Sequence, residues 1–464
     1  MSGQAGQNWY NLCMQISPPS HPSSRGPLVV LGLGLLLLAG GFVALLIGTI
    51  GQANAPRPTP APTVESVAPA STVVQSTTQR LAVIDSDRIY TVDPDGGNLV
   101  SIETPGTVPS AALIWSRDDS RLIYTHIVGE DSQLISAKPD GSDQTVLFAT
   151  DRTSAPFYLS GSPDDAYVAF LMADKSNGID LRLADRRQAN TVRSIAQGQP
   201  NYYSWSPDGK ALLLHVGGTS SMAFVGTYHI GDASPTSIES TPATFQTPVW
   251  SPSGQARWLY ARQHDNNNDL IISDGQTDKT LTSFDDGITF SWAPDGQHVA
   301  YAVTTATSLL YDALTVVDTE GNSPQVYFRG NLLAFFWSPD GSKLAYLSGE
   351  LIEPGPVGRV NGVASARIDQ APRTLEMTWH VLDLKSQHKI DLATFKPADS
   401  FLYLVEYFDQ YAQSIAVWSP DSRSLVYTGT PLVGKSGVYV LDTSTPSAAP
   451  LYIGPGEFAI WSWR

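Results

Sequence analysis

Cysteine is all but missing from this chain: Cys13 is the one cysteine in 464 residues, and it precedes a long apolar run. The chain beyond that run can form no disulfide and offers no thiolate nucleophile or Cys-based zinc site. Its core must be held by packing, for which 42% hydrophobic and 10% aromatic content is ample. Basic residues are scarce too, 28 Lys and Arg against 44 Asp and Glu, for a net charge of -16. Residues 1–79 carry only Arg25, Arg57 and Glu65 as formal charges, so the acidity belongs to residues 80–464, with 26 basic and 43 acidic side chains. A surface this acidic repels phosphate backbones and anionic lipid heads, and no nucleic acid is expected as a partner. Gly-x-Ser-x-Gly is absent as well, so no serine-hydrolase elbow is expected.

The long hydrophobic run is 27–50, PLVVLGLGLLLLAGGFVALLIGTI, without a charge. It is long enough to cross roughly 30 Å of hydrocarbon as a helix and is expected to be a transmembrane span. A cleavable signal peptide is the rival, because Ala53-Asn54-Ala55 resembles a small-x-small cleavage site. The uncleaved anchor is preferred: the run exceeds the usual ~7–15 residue apolar core of a signal peptide. In addition, 26 residues precede it and Pro56 would follow the cut. Arg25 and Arg57 flank the span on opposite sides and tie under the positive-inside rule. Orientation comes instead from 51–79, rich in Pro, Thr, Ser and Ala, which cannot bury enough apolar surface to fold. It is expected to be a stalk that holds the remainder about 30 to about 90 Å off the outer face of the cell membrane. Gly40, Ala44 and Gly48, at four-residue spacing, would permit a weak homodimer through the span. The organisation expected is therefore a tail (1–26), a span (27–50), a stalk (51–79) and a folded unit (80–464).

Within the folded unit one motif recurs. It reads WSRDDSRLIY from Trp115, GSPDDAYVAF from Gly161, WSPDGKALLL from Trp205, WSPSGQARWLY from Trp250, WAPDGQHVAY from Trp292, WSPDGSKLAY from Trp337 and WSPDSRSLVY from Trp418. An eighth occurrence begins at Trp461, and the steps are 46, 44, 45, 42, 45, 81 and 43 residues. Those steps match the ~40–45 residues of a four-stranded propeller blade. The chemistry is that of a hairpin: a strand ends in Trp, Pro presets φ, Asp bonds back to the backbone and Gly takes positive φ. A second strand comes next, then a third ending in an Asp turn, as in LTVVDTEGN (314–322), and a short fourth.

Trp-Ser-Pro-Asp-Gly followed by Leu-Ala-Tyr and then Val-x-Asp-x-x-Gly resembles the TolB-like propeller repeat, which is also found in the propellers of prolyl-oligopeptidase relatives. The resemblance runs from about 80 to 464 and implies an all-β propeller; on the residues themselves no cofactor and no catalytic residue are expected. Departures are Gly161 for Trp, Arg117 for Pro, Ser253 for Asp, and Asp119, Asp165 and Ser422 for the turn glycine. In a turn these are expected to cost only local order. Because Trp461 begins a repeat that cannot finish while 80–105 supplies RLAVID, RIYTVD and LVSIET, the two ends are expected to close one blade jointly. That makes an eight-bladed β-propeller, with seven blades the alternative.

Three motifs promise chemistry. Gly429-Thr-Pro-Leu-Val-Gly434-Lys435-Ser436 fits a phosphate loop, but strand sequences flank it on both sides, so a hairpin is expected. Asp265, Asn267 and Asp269 occupy the first ligand positions of a calcium loop, whose sixth position is Leu270 and twelfth Gln276. They are a weak metal candidate, and a polar hairpin is the favoured reading. His126, His215 and His264 fall near the ends of second strands, where ordinary packed or solvated histidines are expected.

The double-length step marks where function is expected. One excursion, 348–374, carries Glu350, Glu353, Arg359, Arg367 and Arg373; the other, 396–413, carries Phe401, Tyr403, Tyr407, Phe408 and Tyr411. Strand alternation puts both on one face. Long loops and exposed aromatics are where propellers keep binding surfaces, so these ten residues are the expected partner-binding set for a protein or cell-envelope ligand. The alternative is that they fold down as a lid over the channel, or that the aromatics extend the neighbouring strand. Binding or scaffolding is expected ahead of an enzyme acting on a polysaccharide in the channel, with a sensor ectodomain third.

Overall fold

A computed structural model describes residues 79–464 apart from 105, 151–153, 174–177, 244–245, 265–266, 305–309, 353–373 and 448. The candidate span 27–50 and the stalk lie outside the described residues, among which no helix is long and apolar enough to cross a membrane.

The described chain is all-β, in the propeller manner. Antiparallel four-stranded sheets run in sequence order through 113–150, 157–197, 201–239 and 249–284. The expected joint closure is present: Leu81–Asp85 pairs on one side with Arg88–Val92 and on the other with Phe458–Trp461, in register Leu81↔Trp461 and Ile84↔Phe458. Residues 288–454 form one ten-stranded sheet. Its strand Gln325–Trp337 serves two repeats in turn, because Val326 and Phe328 pair with Thr315 and Leu314 whereas Leu332–Trp337 pair with 344–348. Gly330, at φ +137°, sits between the two halves.

The repeat motif works as its chemistry predicts. Ser116, Ser162, Ser206, Ser338 and Ser419 each donate a hydroxyl hydrogen bond of 2.6–2.7 Å to the Asp two residues on, which fastens the turn. The Ser206 hydroxyl and the Lys210 amide hold Asp208 below the usual carboxylate range. Trp205, Trp292 and Trp418 donate their indole N–H to Ser160, Val249 and Phe336, each one residue before the motif position of the preceding repeat. Trp115 and Trp461 are buried, while Trp250 and Trp337 are half-buried in equivalent places.

The departures from the motif do more than cost local order. Asp119, Asp165 and Ser422 keep the positive φ of the glycines they replace, at 60°, 58° and 60°. Each then uses its side chain to tie its own turn to the previous one. Asp165 accepts the N–H groups of Arg117 and Asp118, Asp119 accepts those of Trp463 and Arg464, and Ser422 accepts that of Asp340. Hydrogen bonds of this kind, charge-assisted at Asp119 and Asp165, offset the strain of a non-glycine residue in the left-handed region.

Candidate functional site

The segment 399–411, expected to wander on the surface, folds as two short helices: α1 (Asp399–Glu406) and α2 (Phe408–Tyr411). Phe401, Leu404, Val405 and Phe408 recur at helical spacing and are all buried, and Asp399 in the first turn suits the positive end of the helix. No glycine or proline interrupts them.

The helices pack against the first strands of the surrounding repeats. Phe408 meets Phe335 and Phe336 at ring-centroid distances of 5.1 and 5.8 Å, and Tyr411 meets Tyr158 edge-on at 5.1 Å. Tyr158 donates its hydroxyl to the Gln410 carbonyl at 2.7 Å, and Arg117 donates to the Gln413 carbonyl at 2.9 Å. Ser400 donates to the Glu457 carbonyl, and Asp409 accepts the Thr247 N–H at 3.0 Å. Partners drawn from 117 to 457 converge on this short insert, so it packs inward against the propeller instead of standing off it. Phe401, Phe408 and Tyr411 therefore present no exposed aromatic surface: each is at most 4% exposed. Their apolar rings gain more from the core than from water.

Tyr202, Tyr311, Tyr403, Glu406, Tyr407 and Asp409 are different. Each keeps partial solvent exposure although protein encloses it on nearly every side. That combination marks a concave part of the surface rather than an open face. The Tyr403 and Tyr407 rings lie 5.1 Å apart. Asp409, Glu406, Tyr311 and Tyr403 all act electrostatically on the Tyr202 hydroxyl. Burial pushes the carboxyls of Glu406 and Asp409 up, in Asp409 against the opposing bonds from the Thr247 and Gln410 amides. Burial raises all four tyrosine hydroxyls as well. Among the described residues neither carboxylate has an ion-pair partner. Arg117 lies beyond, its guanidinium 3.7 Å from the Trp463 ring centroid and its pKa lowered to about 10 by burial.

The other expected site residues fall elsewhere. Glu350 is exposed on the strand Lys343–Ile352, opposite Glu376, rather than in a loop. The strand continues past Leu347 because Thr374–Asp383 is there to pair with it. Glu353, Arg359, Arg367 and Arg373 lie outside the described residues, as does Asp265. Asn267 opens a strand opposite His264, and Asp269 accepts a bond from Ser283 at 2.7 Å, an arrangement of the polar-hairpin kind. No metal-ligating group of three or more side chains occurs among the described residues. His215 is buried with both ring nitrogens against carbonyl oxygens, of Gln246 at 3.0 Å and Gly218 at 2.8 Å, so neither is open to a metal. His126 is buried and His264 exposed. The phosphate-loop look-alike is the hairpin between Ser424–Pro431 and Gly437–Asp442.

One constellation escapes sequence reasoning. Ser348 Oγ lies 2.8 Å from His380 Nε2, and His380 Nδ1 lies 2.7 Å from Asp391 Oδ1. Burial lowers the pKa of His380, which stacks on Tyr346 at 4.8 Å. The order is that of a hydrolytic triad, but the environment is that of a cross-strand ladder. Ser348 is paired on both sides, with Leu332 and Thr378, and sits on no turn that would present its hydroxyl to a substrate. The chain satisfies a buried imidazole. Residues 32 and 11 apart in sequence carry no spacing signal that could have announced it.

No family model matches this chain, and no curated protein matches it. Solved structures do. A eukaryotic initiation factor shares 13% identity over 84% of this chain and 99% of its own, with a TM-score of 0.50. An oligogalacturonate lyase in complex with manganese shares 15% over 79% of this chain and 98% of its own, with a TM-score of 0.46. TolB from Acinetobacter baumannii shares 18% over 53% of this chain, at a TM-score of 0.34, and 62% of that TolB is covered. The chain thus spans less than two thirds of the TolB chain it matches. TolB propellers are among the structures this chain is similar to, as its repeat implied, and at these identities the likeness concerns the fold alone.

Proposed function

We propose that this chain is a membrane-anchored, extracytoplasmic eight-bladed propeller that binds a small ligand in the chamber between its insert and its first strands. Counting the two repeats fused through Gln325–Trp337 separately, and the repeat that comes after α2 as its own, supports eight blades. The observation that carries the binding reading is the insert itself. It fills the middle of the ring with apolar rings, yet leaves two carboxylates and four tyrosines partly accessible where packing would otherwise be complete. Enclosed polar groups of this kind, few and convergent, are the usual furniture of a ligand pocket.

The chain enters its first described strand on the face opposite Tyr202 and Tyr311. Leu81 starts its strand opposite Trp461, at the end where the Trp-Ser-Pro-Asp-Gly turns lie. Tyr202 and Tyr311 stand at the other strand ends.

A second reading, an enzyme acting on a polysaccharide in the channel, has Glu406 in its favour, because burial keeps that carboxyl protonated above its usual range, as a general acid requires. The test is thermal unfolding of the full-length protein in alkyl maltoside against a panel of amines, neutral sugars and sugar acids, each hit being recovered and weighed by mass spectrometry. Binding predicts at least one class that raises the unfolding temperature and is recovered unaltered. An altered solute supports the enzyme, and a flat panel removes the chamber as a site.

A further inference from the structure

We infer that one arc of the propeller's rim docks a protein whose contact surface is apolar and ringed by Lys and Arg. The arc is built from hairpins that join second to third strands, which strand alternation puts on the face away from the Trp-Ser-Pro-Asp-Gly turns. Exposed apolar side chains mark it. Val128 ends the strand Leu122–Val128, Ile352 ends Lys343–Ile352, and Leu432 and Val433 lie in the link between Ser424–Pro431 and Gly437–Asp442. All four are exposed, Leu432 at 63% and Val433 at 94%. These hairpins and the jointly closed blade are consecutive around the ring. Lys343–Ile352 and Ser424–Pro431 belong to one continuous ladder, three strand spacings or about 15 Å apart. Ala416 bridges Trp461 and so ties the repeat from Trp418 to the jointly closed blade. Thr107 donates its N–H to the Ile127 carbonyl at 2.9 Å, which sets the link that begins at Glu103 beside Val128. Single exposed apolar residues are ordinary, but hairpin tips that present them along one arc are the pattern of a covered surface.

Charge identifies the occupant. Asp87, Glu103, Glu130, Asp131 and Glu350 are exposed along the arc, against Lys396 and Lys435 as exposed cations there among the described residues. None of those five carboxylates has an ion-pair partner among the described residues. Lys435 is engaged already, its ammonium 3.9 Å from the Tyr452 ring centroid. A second copy would set carboxylate against carboxylate, and anionic lipid heads meet the same repulsion. A protein with Lys and Arg around an apolar centre pairs with the carboxylates while it covers Leu432 and Val433. The inference concerns the rim and does not depend on a ligand beside the insert.

The experiment uses the full-length protein in phosphatidylcholine nanodiscs, captured for surface plasmon resonance with empty discs as reference. The probe is a designed amphipathic helix of Leu and Lys; its controls are a Leu and Glu helix and a Ser and Lys peptide of equal positive charge. The Leu and Lys helix is expected to bind, with both controls at least about tenfold weaker. Leu432→Ser/Val433→Ser is expected to lose about tenfold, and Glu130→Gln/Asp131→Asn about threefold with a flatter salt dependence. Met222→Ser, exposed on the same face outside the arc, and Leu99→Ser, exposed near the opposite face, are expected to stay within about twofold. Near-UV circular dichroism should be the same for every variant. Equal binding of the Ser and Lys peptide, or no binding of the Leu and Lys helix, overturns the proposal. A loss at Met222 or Leu99 equal to that at Leu432 and Val433 removes the arc. Flotation of the native discs, but not of the Leu432→Ser/Val433→Ser discs, with phosphatidylcholine vesicles containing about one quarter phosphatidylglycerol assigns the arc to a lipid surface and overturns it. Self-association in sedimentation equilibrium that is lost in the same variant assigns the arc to a second copy and overturns it as well.

Discussion

The carboxylate of Asp409 accepts the backbone N–H of Thr247 at 3.0 Å, joining residues 162 apart in sequence. That bond pins the insert to the strand region it closes over. Asp409→Ala removes the acceptor and leaves the Thr247 N–H without its partner, at a cost of about 1–3 kcal/mol. Asp409→Asn keeps an acceptor oxygen and relieves a buried charge, so it is expected to match or exceed the native stability at pH 7. Chemical denaturation followed by tryptophan fluorescence separates the two. Equal loss in both variants would mean that the charge, and not the bond, holds the insert.

The same burial gives the protein a pH signature of definite sign. Glu406 and Asp409 have folded-state pKa values raised above 4.5 and 3.8 respectively. The folded state therefore holds protons that the unfolded state has released, and stability from these two groups falls as pH rises from about 4 through their folded values. Turn aspartates such as Asp208 act oppositely, losing stability as pH falls. The Glu406→Gln/Asp409→Asn double variant isolates the chamber. Its stability relative to the native protein should be unchanged near pH 3.5 and increasingly favourable toward pH 8. A difference that shrinks with rising pH would contradict the burial of these carboxyls.

Asp165 tests the stitching between turns. It accepts two N–H groups from the preceding turn and pairs with Arg186 at 2.8 Å. Asp165→Ala is expected to lose about 1.5–3 kcal/mol, because charged acceptors are removed from partly buried donors. Asp165→Gly restores the repeat's own consensus and should recover about 1 kcal/mol of that loss by easing the positive φ of 58°. If glycine were more stable than the native aspartate, the stitch would contribute nothing. Urea midpoints of the three proteins decide it.

Topology has a built-in reporter in Cys13, the chain's single thiol. With the tail inside and the propeller outside, a membrane-impermeant maleimide should leave intact cells unlabelled and label them once they are permeabilised. Labelling of intact cells inverts the proposed orientation.

How legible a feature is depends on how local its cause is. The Ser-to-Asp bond two residues on and the glycine at positive φ are settled within a single turn, so Trp205-Ser206-Pro207-Asp208-Gly209 announces a hairpin wherever its pattern recurs. The insert carries a signal of its own: Phe401, Leu404, Val405 and Phe408 are spaced as one helical face. Its aromatic richness nevertheless suggests an exposed surface, because composition alone cannot tell which way a ring will turn. The departures at Asp119, Asp165 and Ser422 look like tolerated faults in the motif, since the amides they accept come from other turns.

The sequence by itself determined the repeat, its hairpin turns, the joint closure by Leu81–Asp85 and Phe458–Trp461, and the acidity of the folded part. The turns come from residues a few positions apart, the acidity from a count, and the closure from a repeat cut short at one end and completed at the other. Tertiary structure alone decided that the insert packs inward against distant strands, that Glu406, Asp409 and Tyr311 act on the Tyr202 hydroxyl, and that Ser348, His380 and Asp391 form a hydrogen-bonded series. Those relationships join segments tens to hundreds of residues apart. They exist because closing the ring brings first strands from every repeat around one axis, and pairing distant strands carries side chains into contact that no local spacing records.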